Sequence, residues 1–428
     1  MANSINILFI TENFPPETNA AATRVFERAC YWVKAGHRVT IITTAPNFPN
    51  GIVFPGYKNR WHQVEYMSGI RVIRVKTYIT SNQGVIRRTL DFLSFMVMGV
   101  FGGLFETKPD VIVSTSPQFF AAVAGWILSG LRSVPFVFEL GDLWPASISA
   151  VGILRPGIVL RLIEKLELHL YARAEAIVSL THAFKDNLSM RGVNADKIAV
   201  IPNGVDLWRY GIRDRDADLD RQWNTTGNFI VGYVGTHGMA HALSNVLDTA
   251  EILKSYDNIR FLLVGAGAER EELVLATEER GLSNIIFMPP QPKIAMPSVW
   301  SLCDIALVHL KDDDVFAGVI PSKMFEAMAM GLPILMAVPA GEASQIILSR
   351  NAGLHIPPEN PKALANVIIE LFLDPVSLKT FAKNSLAAAP HHSREAQAHH
   401  MLSVLERSVN WRGCEAAALA SDKAGDKF

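Results

Sequence analysis

Lys323 and Glu326 stand three positions apart in the run Pro321-Ser322-Lys323-Met324-Phe325-Glu326-Ala327-Met328, which is otherwise mostly apolar. Three positions make about one helical turn, so on a helix the two share a face. A surface ion pair is the plain explanation. Pro321 and Ser322, however, read as helix-start residues. They would set Lys323 beside the positive end of the helix and its free backbone N–H groups, a corner that attracts anions. Two other stretches have phosphate chemistry within reach. One is Gly235-Thr236-His237-Gly238, where a strand pattern ends, and the other is Gly265 with Gly267, ahead of a helix pattern. Missing Cβ atoms there let backbone N–H groups approach an anion. Tight strand-to-helix turns need glycine in any case, so each pair alone says little, but three such exits in one half of the chain point to a ligand.

Exits of this kind require parallel strands to hold them. Runs rich in Val, Ile and Leu recur at 5–11, 38–44, 70–77, 111–116, 136–140, 176–180 and 198–202, then at 229–235, 259–265, 285–289, 305–310 and 333–338, with helix-like stretches between. Continuous apolar runs suit strands covered on both faces. Two doubly wound α/β domains follow, over residues 1–204 and 205–386, with the hinge near Asn203 and the polar stretch 206–228 as linker. A helix over 387–411 is expected to pack back on the first domain, and 412–428, small and charged, reads as a flexible tail.

The 428 residues are 49% hydrophobic and 19% charged, enough for large cores and too apolar for a disordered chain. A net charge of -1 argues against a nucleic-acid partner. Cys30, Cys303 and Cys414 are far apart, so neither a disulfide framework nor a zinc site is suggested, and a reducing cytosol fits. The first residues, MANSINILFITENFPP, read as a strand and not as a signal peptide. The uncharged stretch from Phe92 to Phe105 falls short of the about 20 residues that span a bilayer, which leaves a core or a membrane interface.

Three strings, THAFKDNLSMRGVNADKIAVIPNGVDLWRY (181–210), FLLVGAGAEREEL (261–273) and PSKMFEAMAMGLPIL (321–335), resemble glycosyltransferase family 4. These are retaining sugar-nucleotide transferases of GT-B fold, two Rossmann-like domains facing a central cleft. The similarity runs from LFITENFPPETNAAATRVFER to the helix near Trp411. The proline-serine-lysine opening and ELGDLWPASI (139–148) further resemble the branch that transfers acetamido-deoxy sugars such as N-acetyl-L-fucosamine.

The resemblance implies that Glu326 accepts hydrogen bonds from the ribose of a UDP-sugar, while Ser322 and Lys323 face the diphosphate and Lys323 offers its charge to the leaving group. Gly235, Thr236, His237 and Gly238, Gly265 and Gly267, Arg270, and Pro290 with Gln291 complete the expected donor-binding set. Thr18 and Asn19, after the first strand, fall on the acceptor side, where the family has a glycine-rich loop. Two positions near the sugar depart from the family. A second glutamate, eight positions before Glu326, is here Gly318, and a histidine close to the reacting carbon is here Gly141. Asp142 and Glu139 are the carboxylates left to act as base, with Asp142 favoured because it follows the strand end; its alternative is a turn aspartate.

Asp312 to Asp314 include an Asp-x-Asp, a metal signature in the other major glycosyltransferase fold, but no metal cofactor is expected here and an acidic loop is ordinarily solvated. His391, His392, His399 and His400 read as surface histidines. The acceptor implied by the resemblance is a saccharide on polyprenyl diphosphate, as in O-antigen or capsule assembly. Seven cations between Lys58 and Arg88 (Lys58, Arg60, Arg71, Arg74, Lys76, Arg87, Arg88) precede the Phe92–Phe105 stretch. Together they suggest a cytoplasmic enzyme held peripherally at the inner face of the membrane. Two alternatives stay open: a UDP-sugar epimerase of the same fold, and a non-catalytic scaffold with a degenerate site. Oligomeric state is not legible.

Overall fold

A computed structural model describes residues 4–80, 85–116, 118–143 and 157–425, with the side chains of residues 85, 86, 159 and 411–425 outside the description. Trp144 and Pro145 of the turn expected after Asp142, with residues 146–148 of the same motif, lie outside the described residues. The chain divides into two compact units, residues 1–202 with 395–428, and residues 203–394.

In the first unit eight strands form one sheet: β1 (Asn6–Ile10), β2 (Arg38–Thr44), β3 (His62–Met67), β4 (Ile70–Val75), β5 (Val111–Thr115), β6 (Phe136–Leu140), β7 (Ala176–Ser179) and β8 (Ile198–Val200). Their order is β3-β4-β2-β1-β5-β6-β7-β8, and every pairing is parallel except β3 with β4. Ile7, Leu8, Phe9 and Ile10 are all nearly fully buried, as a parallel strand covered on both faces requires. The edge strand β3 was not legible because it alternates, with Val64 and Tyr66 exposed. The chain winds from β1 toward β2 on one side and places β5 on the other, so the order reverses at β1.

The helix Ala20–Lys34 is capped by Asn19, whose Oδ1 accepts from Ala22 N at 2.9 Å. The helix Val85–Leu104 lies with one face in the core. Phe95 is fully buried, and a Cβ at Gly103 or Gly102 would meet Leu128 at 2.2 Å or Val75 at 2.9 Å, so both glycines permit close packing. The last helix, Arg394–Gly425, runs past Trp411 into the stretch read as a tail. It seats Ala398, Met401 and Leu405 in the core of the first unit, and Trp32 Nε1 donates to Ala398 O at 2.9 Å.

The second unit carries β9 (Phe229–Val234), β10 (Ile259–Val264), β11 (Ile285–Met288), β12 (Ile305–His309), β13 (Ile334–Ala337) and β14 (Gly353–Ile356), all parallel in the order β11-β10-β9-β12-β13-β14. Here the order reverses at β9. The short edge strand β14 had no apolar run long enough to announce it. The polar stretch 206–228 is no free linker: Tyr210 and Trp223 are buried, and Asp216 caps a helix at Ala217–Gln222.

Candidate active site

Ligands of open parallel sheets sit outside the carboxyl ends of the strands where the order reverses. In the second unit that place is the exit of β9, and Gly235 to Gly238 occupy it. Lys323 reaches it as the first residue of the helix Lys323–Ala329, which follows β12.

Lys323 does not pair with Glu326. Its Nζ lies 3.4 Å from the centroid of the Tyr233 ring, enclosed from solvent, with no hydrogen-bond partner among the described residues. Burial pushes the ammonium well below the usual lysine range, and the nearby Glu326 charge only partly opposes this. Glu326 instead accepts from Lys293, and its Oε2 accepts from Trp300 Nε1 at 3.2 Å. The two residues one turn apart therefore belong to two different environments, a neutral-leaning amine over an aromatic face and a satisfied carboxylate.

The other donors converge on the amine. His237 is fully buried, neither ring nitrogen has a partner among the described residues, and its pKa is lowered to about 4 by burial first and then by the Lys323 and Arg270 charges. Arg270 lies over the Phe287 ring at 5.9 Å with its Nε enclosed and unpartnered among the described residues, and the His237 ring is 6.0 Å from the same phenyl. Unsatisfied buried donors are costly to keep, and three cationic or polar heads lie around this one strand exit, an arrangement whose chemistry suits an anion.

The glycines act differently from expectation. Gly235, His237 and Gly265 use their N–H groups on Val264 O, Ala266 O and Met288 O, so these three do not serve a phosphate. A Cβ at Gly265 would fall 1.8 Å from Gly235 O, one at Gly267 2.2 Å from His237 O, and one at Gly235 2.8 Å from Lys323 Nζ. Their absence lets two strand exits pack backbone to backbone and leaves room for the lysine. Gly238 has no such constraint, and Thr236 is exposed, its carbonyl accepting from Tyr233 Oη at 2.7 Å. Ser322 makes no capping bond, and Met324 N and Phe325 N already bond Pro321 O and Ser322 O, so the expected free helix start is mostly occupied. Pro290 is exposed and Gln291 turns back on Pro289 O. Gly318 ends a short 3-10 turn (Asp314–Gly318), and Asp313 caps that turn through Val315 N.

In the first unit Glu139 is not placed to act as a base. It is 1% exposed, and its Oε1 accepts from Arg24 Nε at 3.2 Å and from Arg28. Burial would raise its pKa, but Arg24 and Arg28 outweigh that and hold the carboxylate below its usual range. Its work is to tie the helix Ala20–Lys34 to β6. Asp142 lies in the following bend, half-buried, with Ser116 Oγ accepting from Gly141 N at 2.9 Å and 3.4 Å from both Asp142 N and Asp142 O. A Cβ at Gly141 would stand 2.3 Å from Ser116 O, so this backbone has no room for the histidine the family carries. On the acceptor side Thr18 is exposed and Asn19 is the helix cap already described. Sequence reading missed Lys293 and Tyr233, whose roles depend on contacts across the sheet, and it passed over Glu12, a charged residue at a strand exit.

Residues 19–204 match the Glycosyl transferase 4-like domain and residues 215–387 the Glycosyl transferases group 1 domain. Between them the two cover most of the chain, which belongs to the glycosyltransferases built from this pair. A protein of Escherichia coli K12 named for colanic acid biosynthesis glycosyl transfer, WcaI, is 26% identical over 335 residues, 76% of this chain and 82% of that one. Among solved structures, sucrose-phosphate synthase from Thermosynechococcus elongatus superposes with a TM-score of 0.75 at 19% identity, over 96% of this chain and all of that one. Anabaena HepE in complex with UDP-glucose gives 0.73 at 19% identity, over 94% and 100%. The fold is GT-B. Among the described residues no helix is long and apolar enough to cross a membrane.

Proposed function

We propose that the chain transfers a sugar, of the acetamido-deoxy class, from a UDP-sugar to a saccharide carried on polyprenyl diphosphate during assembly of a bacterial surface polysaccharide. The observation that carries this is the enclosed Lys323 Nζ beside His237 and Arg270, unsatisfied donors that an incoming diphosphate would satisfy. A diphosphate there draws a proton onto Lys323, and the resulting ammonium neutralises the charge that grows on the leaving group as the glycosidic bond breaks. On this reading Glu326, held in place by Lys293 and Trp300, is the ribose acceptor, and charge neutralisation falls to these side chains. Asp142 takes the acceptor's proton. The names of WcaI and of the HepE complex support the pathway and the donor class; the 139–148 motif supports the acetamido sugar.

The seven cations proposed as a membrane dock are not all free to serve. Arg74 is 2% exposed and bonds Glu65 at 2.5 Å, and Arg71 pairs with Glu106 at 3.1 Å. The apolar half of the dock is better supported. Leu90, Val97, Phe101 and Phe105 are exposed at helical spacing along and just past Val85–Leu104, on the face away from the core. A donor panel offered with polyprenyl-diphosphate-linked N-acetylglucosamine tests the whole reading. Nucleotide release that requires the lipid acceptor supports transfer; release or isomerisation without it supports the epimerase, and no turnover with any pair supports the scaffold.

A further inference from the structure

Tyr233, the next-to-last residue of β9, is outside the donor-binding set read from the sequence, yet several parts of that strand exit meet on it. The residue is fully buried, and its Oη donates to Thr236 O at 2.7 Å, which pins the ring under the turn from Gly235 to Gly238. The Lys323 amine lies on the ring face, 3.4 Å from the centroid. The rings of His237 and His241 each stand 5.9 Å from the same centroid. A Cβ at Gly235 would meet Lys323 Nζ at 2.8 Å, so the amine fits there only because no side chain fills that space. Filling the core does not require an aromatic residue here: Val231, two residues back on the same face of the strand, packs in the same cluster.

No anion compensates the amine. Glu326, on its own helix, is taken by Lys293 and Trp300. His237 and His241 after β9 and His309 at the end of β12 lie close enough for the lysine charge to act on them, and Arg270 adds a further cation beside His237. Burial first holds the three histidines at about 4, about 3 and about 4, so all are neutral at neutral pH, and the charge that changes there is that of Lys323. Tyr233 itself stays a phenol, because burial and then Glu269 push it well above its usual range. Among the described residues no acceptor reaches Nζ, which leaves the ring as the electron-rich surface in contact with it. The face of an aromatic ring carries negative charge density and attracts an ammonium.

We propose that Tyr233 is a positioning residue of the diphosphate site, its ring holding the Lys323 head at the exit of β9 and favouring the ammonium over the neutral amine. The ring does this without an ion pair, so the cation keeps its N–H donors for an incoming anion. A carboxylate in the same place would compete with the diphosphate for them. This rests on the transferase reading and adds to it the group that sets the charge of Lys323.

The test uses the full chain with Tyr233→Phe, and the same chain with trifluorophenylalanine at position 233, which nearly keeps the volume of phenylalanine and draws electron density off the ring face. The titration midpoint of Lys323 is read in the ligand-free proteins by NMR of isotope-labelled lysine, the signal being assigned by its loss in Lys323→Met. Tyr233→Phe is expected to keep the wild-type midpoint, and fluorination to lower it by about one pH unit. UDP affinity should fall about tenfold on fluorination at pH values between the ligand-free and UDP-bound midpoints. Below both midpoints it should be unchanged, because the lysine is already protonated in either protein. A side chain that only fills the core would give the same loss at every pH, or none. A midpoint unmoved by fluorination, or an affinity loss independent of pH, would overturn the proposal. Should trifluorophenylalanine prevent folding, a single fluorine makes the same comparison with a smaller step. A wild-type chain that binds no UDP would overturn the donor reading, while the midpoint comparison still decides the role of the ring.

Discussion

Lys323 Nζ lies 3.4 Å from the centroid of the Tyr233 ring and makes no bond to Glu326, one turn along the same helix. A buried amine over an aromatic face with no counter-ion is a strained arrangement for stability and a prepared one for an anion. Lys323→Met keeps the volume and removes the amine. Thermal unfolding of the ligand-free variant is expected at or above the wild-type temperature, while turnover falls by about tenfold or more, as loss of a charged hydrogen bond of about 1.5–3 kcal/mol requires. A destabilised variant with normal turnover would make the lysine structural.

The depressed amine also gives donor binding a pH dependence with a definite sign. A diphosphate raises the pKa of Lys323, so binding takes up a proton at any pH between the depressed and the ligand-bound values, and affinity falls as pH rises through that window. His237, at about 4 without ligand, adds uptake toward acid pH. Calorimetry of UDP binding in two buffers of different ionisation enthalpy measures the proton directly; release or no exchange at neutral pH would contradict it.

Glu139 and Asp142, three residues apart, are expected to fail in opposite ways when neutralised. Glu139→Gln leaves Arg24 and Arg28 buried without their counter-ion, so it should cost roughly 3–5 kcal/mol of stability. Asp142→Asn should leave unfolding unchanged and slow turnover by about 10²–10⁴-fold. Gly141→His, which would restore the family's usual residue, should destabilise the fold and recover no rate, because its Cβ would press on Ser116 O. Denaturant titration and steady-state rates separate the three.

The exposed stripe on the helix Val85–Leu104 gives the proposed membrane dock a direct test. Leu93 is partly buried, so an aspartate there would confuse docking with folding, whereas Val97 and Phe101 are 46% and 52% exposed. Val97→Asp with Phe101→Asp should leave unfolding unchanged and release the protein from anionic vesicles in a flotation assay. Retained flotation would put the dock elsewhere.

Twelve strands were legible because each carries a run rich in Val, Ile, Leu or Phe, the mark of a strand buried on two faces. β3 alternates at an exposed edge and β14, Gly353-Leu354-His355-Ile356, has its two apolar residues separated by a histidine, so neither carried that mark. The candidate site was legible as residue types and not as partnerships. Lys323, His237, Arg270 and Glu326 could be picked out, but the Lys323–Tyr233 and Glu326–Lys293 contacts join residues 90 and 33 positions apart, and only the sheet brings them together. Gly265 and Gly267 stand out for a missing Cβ, and the space this leaves is taken up by the neighbouring strand exit, which the sequence does not show.

If Lys323 grips a diphosphate while Glu326 holds the ribose beside it, the affinities of UDP and uridine for three proteins separate the two roles. In the wild-type chain UDP should bind far more tightly than uridine. Lys323→Met should weaken UDP by about tenfold or more and leave uridine unchanged, whereas Glu326→Gln should weaken both by a similar factor. Full UDP affinity in Lys323→Met, or undiminished uridine affinity in Glu326→Gln, would contradict the account.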